Sequence, residues 1–211
     1  AAACTAAGLL AALGYARVAW LARPLGELAD GHASREPSAR LWKPSPFLER
    51  IAPRLAPGRA LDVAAGAGRD AVFLAGLGWR IDAWDHDAEA LARARALASR
   101  NGVSITTRVV ALEHPGLPDP GAGWDLVAVC RFLSRPLMPW LERAVAPGGA
   151  LVYETFLRGQ EAFGHPRQPR FLLEPGELAQ AFPSLATECY EESAPAGGPI
   201  LARLFARRAP H

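Results

Sequence analysis

Ala60-Leu-Asp-Val-Ala-Ala-Gly-Ala-Gly-Arg-Asp70, with Ile81-Asp-Ala-Trp-Asp-His-Asp87 after it, fixes the architecture of this chain. The apolar opening reads as a buried strand, the glycines as a tight turn, and the residues beyond them as a helix. The second stretch reads as another strand, closed by the carboxylate of Asp85. Strand, glycine turn, helix and acid-ended strand form the arrangement by which an α/β sheet holds an adenosine-containing cofactor. Asp62 sharpens the reading, because it lies inside the first strand, ahead of Gly66. A carboxylate buried in a strand is costly without a partner. Asp62 therefore needs a hydrogen-bond donor, and a ligand ammonium would be one.

Two cofactors compete for such a site. Gly66-Ala-Gly68-Arg-Asp-Ala71 fits the G-x-G-x-x-A form of the dinucleotide fingerprint, with Asp85 placed to read an NAD ribose. A dinucleotide also brings a diphosphate, which suits a helix N-terminus. S-adenosylmethionine carries no phosphate; it offers an ammonium, a carboxylate, two ribose hydroxyls and a sulfonium. An acid in the first strand suits that ammonium, and Asp85 can accept both ribose hydroxyls in charge-assisted bonds.

The order of later elements bears on the choice. Ala88 to Ser99 has helical character and stops at Asn101-Gly102; Ser104 to Val110 is strand-like. Trp124 to Cys130 is a near-continuous apolar run suited to a central strand. Leu137 to Ala146 reads as a helix ended by Pro147-Gly148-Gly149, Ala150 to Phe156 as a strand, and Pro175 to Phe182 as a helix. Thr187 to Glu192 and Ile200 to Arg207 flank a Pro/Gly turn, so they form a hairpin. The fold expected is α/β: a Rossmann-like seven-stranded sheet, mostly parallel, with one antiparallel strand contributed by the C-terminal hairpin.

The pattern D-x-[GA]-x-G-x-G, Asp62 to Gly68, resembles motif I of the class I S-adenosylmethionine-dependent methyltransferases. With Asp82-Ala-Trp-Asp85 and Thr107-Arg-Val-Val110, the segment Leu41 to Arg208 resembles the tellurite-resistance (TehB-like) methyltransferases and their thiopurine-methyltransferase relatives. The resemblance implies that Asp62, Ala64, Gly66, Gly68, Arg69, Asp85 and His86 hold S-adenosylmethionine. Trp42, Cys130 and Arg131 would border the same cofactor. Ala64 replaces the usual first glycine, a tolerable change if that backbone is not at positive φ. Ala111 stands where many relatives have an aspartate near the adenine, so the backbone of Ala111 and Leu112 would hold the base.

The first thirty-odd residues read differently. Ala1 to Ala16 is uncharged, is not preceded by a basic region and is short of the ~20 residues that span a bilayer. Leu9-Leu-Ala-Ala-Leu-Gly-Tyr15 and Val18-Ala-Trp-Leu21 resemble the end of a rhodanese domain. The C-x-x-G-x-R loop is missing, and Cys4 lies elsewhere, in the helical stretch. Residues 1–33 are expected to be a rhodanese-like remnant and linker, with Asp30 to Arg40 polar and linker-like, and 34–211 the methyltransferase domain. Cys4, Cys130 and Cys189 show neither the even count of a disulfide scaffold nor metal-ligand spacing, so the expected location is cytoplasmic and no metal is expected. A net charge of +2 favours neither nucleic acid nor a membrane surface as partner.

For the methyl acceptor, the segments facing the carboxyl ends of the strands matter. Arg131 could clamp an anionic substrate or bridge to Asp62, Glu154 or the cofactor carboxylate. Glu154 could be a general base or an ion-pair partner of Arg131 or Arg170. His165, on the long loop from Gly159 to Leu172, is a base by residue type, and Arg167 and Arg170 favour an anionic acceptor. Leu41-Trp-Lys-Pro-Ser-Pro-Phe47 offers Ser45 as a helix N-cap, and Trp42 and Phe47 either fold over a sulfonium or pack in the core. A small-molecule acceptor is expected, with an anionic or an S, Se or Te nucleophile as the candidates and oligomeric state open. The rivals are an NAD(P)-binding oxidoreductase and a non-catalytic module that binds S-adenosylmethionine.

Overall fold

The computed structural model describes residues 42–112, 123–195 and 198–210, all within the unit Trp42–His211. The rhodanese-like reading of residues 1–33, the linker and Cys4 lie outside the described residues.

Seven strands form one sheet in the order β3-β2-β1-β4-β5-β7-β6. They are β1 (Arg59–Val63), β2 (Arg80–Asp85), β3 (Thr106–Val109), β4 (Trp124–Cys130), β5 (Val145–Phe156), β6 (Ala186–Ser193) and β7 (Leu201–Arg207). Only β7 is antiparallel to its neighbours, β5 and β6. Neighbours β1 and β4 are almost wholly buried, which is why their sequences read as continuous apolar runs rather than alternating ones. β5 starts at Val145 rather than at Ala150. Pairing with β4 shifts between Trp124 and Leu126, so Pro147-Gly148-Gly149 interrupts the register and does not simply end a helix.

Helices cover both faces. On one lie α1 (Pro46–Ile51), α2 (Arg69–Gly76) and α3 (Ala88–Arg100), packed through Phe47, Leu48, Ala71, Leu74 and Leu91 against Ala128, Val152 and Phe205. On the other, α4 (Met138–Ala144) and the single turn α5 (Glu177–Gln180) pack through Leu141 and Leu178 against Val127, Val129 and Tyr153. α5 is much shorter than the Pro175–Phe182 expected, because Gly176 enters it at φ 77° and Ser184 begins the approach to β6. Alternation along β5 thus places Tyr153 on the α4 face and Glu154 on the α1 face.

Candidate cofactor and acceptor site

The chain leaves β1 through a turn in which Ala64, Gly66 and Gly68 all have positive φ, at 58°, 53° and 76°. The condition under which alanine is readily tolerated at position 64 is therefore not met. Its methyl group is carried in a left-handed conformation that costs an L-residue about 1 kcal/mol or more, and such strain is concentrated at functional sites. The two glycines serve different ends. A Cβ on Gly68 would lie 2.5 Å from the Cβ of Ala94, so this glycine lets α2 and α3 approach. A Cβ on Gly66 would meet nothing within 4 Å, leaving room above the turn for a ligand.

Asp85 faces that room from the end of β2. Its Oδ2 accepts from the Gly66 N–H at 2.8 Å, and its Oδ1 from the Asp87 N–H at 2.9 Å. The pair orients the carboxylate while leaving lone pairs for further donors. His86 is largely exposed, with Nδ1 3.1 Å from Asp85 Oδ1. Arg69 is exposed at the first position of α2. Beyond β3, Ala111 is exposed and Leu112 is buried in the core.

Asp62 is buried, and its Oδ2 has no hydrogen-bond partner among the described residues. Burial, then the nearby Asp70 charge, pushes its carboxyl well above the ordinary value of 3.8, against the pull of the Ala71 N–H. Asp70, in the first turn of α2, is also raised by burial, although it accepts the Ser45 N–H at 2.6 Å. Cys130 reaches Asp70 from the end of β4, and burial with the surrounding acids pushes its thiol well up. Such a thiol is a poor nucleophile. Two buried acids and an orphaned oxygen beside an open glycine turn fit a cationic ammonium.

One position further along the sheet the charge is balanced. Glu154 is fully buried and pairs in register with Cys130 of β4 and Arg203 of β7. Its Oε1 accepts from Arg131 Nε and Ser45 Oγ, both at 3.2 Å, and its Oε2 from Arg203 Nε at 2.7 Å. With three donors and no solvent contact, Glu154 sits as the ion-pair anchor of Arg131 and not as a free base. Arg170 does not join this pair. Arg131 has φ 62°, its N–H donates to the Glu154 carbonyl at 2.7 Å, and its guanidinium lies over the Phe156 ring. Ser45 precedes α1 but makes no side-chain cap; its hydroxyl is spent on Glu154 instead. Phe47 is in the core, and Trp42 packs partly buried against the same cluster.

Beyond the carboxyl ends of β4 and β5 the loop 159–172 folds back on itself. It is closed by the bonds of Arg158 N–H to the Leu173 carbonyl and Leu173 N–H to the Phe156 carbonyl, both 2.9 Å. Between loop and sheet is a cavity of about 530 Å³ that Arg131, Phe132, Thr155, Phe156, His165, Arg167 and Phe171 help to line. His165 and Arg167 are thus brought to Arg131. Arg170 is turned to an adjoining cavity of about 280 Å³, over the Phe171 ring.

The sequence alone assigns no role to Asp70 or Arg203, and to Ser45 only that of a helix cap. Asp70 reads as an ordinary acid at a helix start, and the partners of Ser45 and Arg203 are remote in sequence.

The family model for Tellurite resistance protein TehB matches residues 48–130, from within α1 to the end of β4. No curated protein matches the chain. Among solved structures, TehB from Haemophilus influenzae superimposes with TM-score 0.64 at 17% identity, over 76% of this chain and 61% of that one. The chain therefore spans less than two thirds of that relative. An S-adenosylmethionine-dependent methyltransferase from Mesorhizobium loti gives 0.63 at 20% identity, over 77% and 96%. Magnesium protoporphyrin IX methyltransferase from Synechocystis PCC 6803, solved with bound S-adenosylhomocysteine, gives 0.62 at 13%, over 77% and 81%. The fold is the one these methyltransferases share, a seven-stranded sheet with its last strands in an antiparallel hairpin.

Proposed function

We propose that this chain is an S-adenosylmethionine-dependent methyltransferase acting on a small molecule, with residues 34–211 as the catalytic domain. The observation that carries the reading is the pairing of Asp85, oriented beside the open Gly66, with the unpartnered oxygen of buried Asp62. Asp85 would take the ribose hydroxyls, Asp62 the ammonium, and the backbone at Ala111 and Leu112 the adenine. The family match adds support, since residues 48–130 contain every one of these groups. When bound, S-adenosylmethionine supplies an electrophilic methyl: the acceptor's lone pair forms the new bond as the carbon–sulfur pair returns to sulfur. What the chain contributes is alignment and exclusion of water. Arg131, anchored by Glu154, borders both cofactor and acceptor spaces, and His165 is the group within the acceptor cavity able to take a proton.

A TehB-like place within the superfamily, a rhodanese-like origin for residues 1–33 and a cytosolic location with no nucleic-acid partner belong to the same proposal. Free Cys130 and Cys189 accord with that location. Exchanging Asp85 for alanine is expected to raise the S-adenosylmethionine dissociation constant at least about tenfold, the value of one charge-assisted bond. An unchanged constant in a calorimetric titration would take Asp85 out of the site.

A further inference from the structure

Building on the methyl-transfer reading, we propose that the acceptor is an organic anion with an aromatic or extended apolar body, and not an inorganic oxyanion. The cavity behind loop 159–172 measures about 530 Å³, inside the range that encloses most of a drug-sized organic ligand. An inorganic oxyanion would leave most of that volume to water. The walls are set for a ring: Phe132, Phe156 and Phe171 lie around the space, and aromatic pairs favour edge and offset contacts that a planar guest can supply.

The same walls select charge. The cavity lining holds two arginines and one histidine, and no aspartate or glutamate. Arg131 is already committed, to Glu154 on one side and the Phe156 ring on the other. Glu154 shares a single negative charge between Arg131 and Arg203. Arg167 is exposed at the mouth and has no carboxylate within ion-pair distance among the described residues. A guanidinium in that position is a ready fork for a carboxylate. Thr155 adds a buried hydroxyl with no hydrogen-bond partner among the described residues. The TehB family match ends at residue 130, so it contains none of these groups.

The test measures binding of 2-naphthoate, 2-naphthamide and tellurite to the full chain, with and without saturating S-adenosylhomocysteine. The expected result is that 2-naphthoate binds at least about tenfold more tightly than the isosteric neutral amide, the value of a charge-assisted bond. Arg167→Ala removes that preference, Arg167→Lys keeps part of it, and neither alters S-adenosylhomocysteine affinity. Equal binding of acid and amide, no binding of either, or binding of tellurite in place of 2-naphthoate overturns the proposal. Failure of the underlying reading shows separately: 2-naphthoate held while S-adenosylhomocysteine is not would end the acceptor role and leave an anion site of another kind.

Discussion

Asp62 sets the fold's stability against its chemistry. Burial, the larger cause, and the Asp70 charge raise its carboxyl above the ordinary 3.8. The unfolded chain gives up that proton at lower pH than the folded one does. The contribution to stability is therefore fully present below the ordinary value and is lost as pH rises toward the raised one. Above 3.8 the folded state is penalised by up to about 1.4 kcal/mol per pH unit until the folded group ionises. Asp62→Asn is thus expected to make the ligand-free protein more stable than the parent at pH 7, with the gap closing below pH 4, while S-adenosylmethionine affinity falls. Chemical denaturation at both pH values measures this, and a variant less stable at pH 7 contradicts it. The need of Asp62 for a partner was legible in the sequence, because an acid in an apolar run has few explanations. The company of Asp70 and Cys130 was not, since strand register and helix placement bring them together. Nor was the positive φ of Ala64, where side-chain chemistry gives no signal.

At the scale of elements, β4, β5 and β7 are cross-linked by one buried carboxylate. Register aligns Cys130, Glu154 and Arg203 across three strands, and Ser45 ties α1 to the same oxygen that holds Arg131. Removing the charge from Glu154 leaves two cations with a weaker acceptor. Glu154→Gln is expected to cost about 2–3 kcal/mol of unfolding free energy, reduced by the partial solvent exposure of Arg131, and to loosen Arg131 at the acceptor cavity. Thermal unfolding together with kcat/KM for a found acceptor would show both losses; stability within 0.5 kcal/mol of the parent, roughly the effect of an ordinary surface change, counts against the anchor. The sequence marked β2 and β4 to within a residue, β4 because it is a buried apolar run and β2 because Asp85 closes it before a helix. It missed the early start of β5, where Pro147-Gly148-Gly149 reads as an end but is accommodated as an irregularity. It also overextended α5, whose apolar residues are placed by packing rather than by helical periodicity. Ser45 was read from its position before Pro46 as a cap, a local rule that a long-range partner displaced.

For the whole molecule, strand order divides the work. β1 to β3 with their loops carry the groups suited to a cofactor, and this half falls within the TehB family match. The ends of β4 and β5 with loop 159–172 carry the cavity proposed for the acceptor, which the match does not reach. That division explains why the fold and cofactor class could be read from short motifs while the acceptor could not. Methyl transfer makes no fixed demand for a catalytic side chain, so the acceptor half is recorded only in cavity shape and charge. The most direct measurement is calorimetric titration of the purified chain with S-adenosylmethionine, S-adenosylhomocysteine and NADPH in parallel. Micromolar binding of the two adenosyl compounds, with none of NADPH, is the result expected; binding of NADPH alone would make Asp62 and Asp85 part of a dinucleotide site and contradict the account.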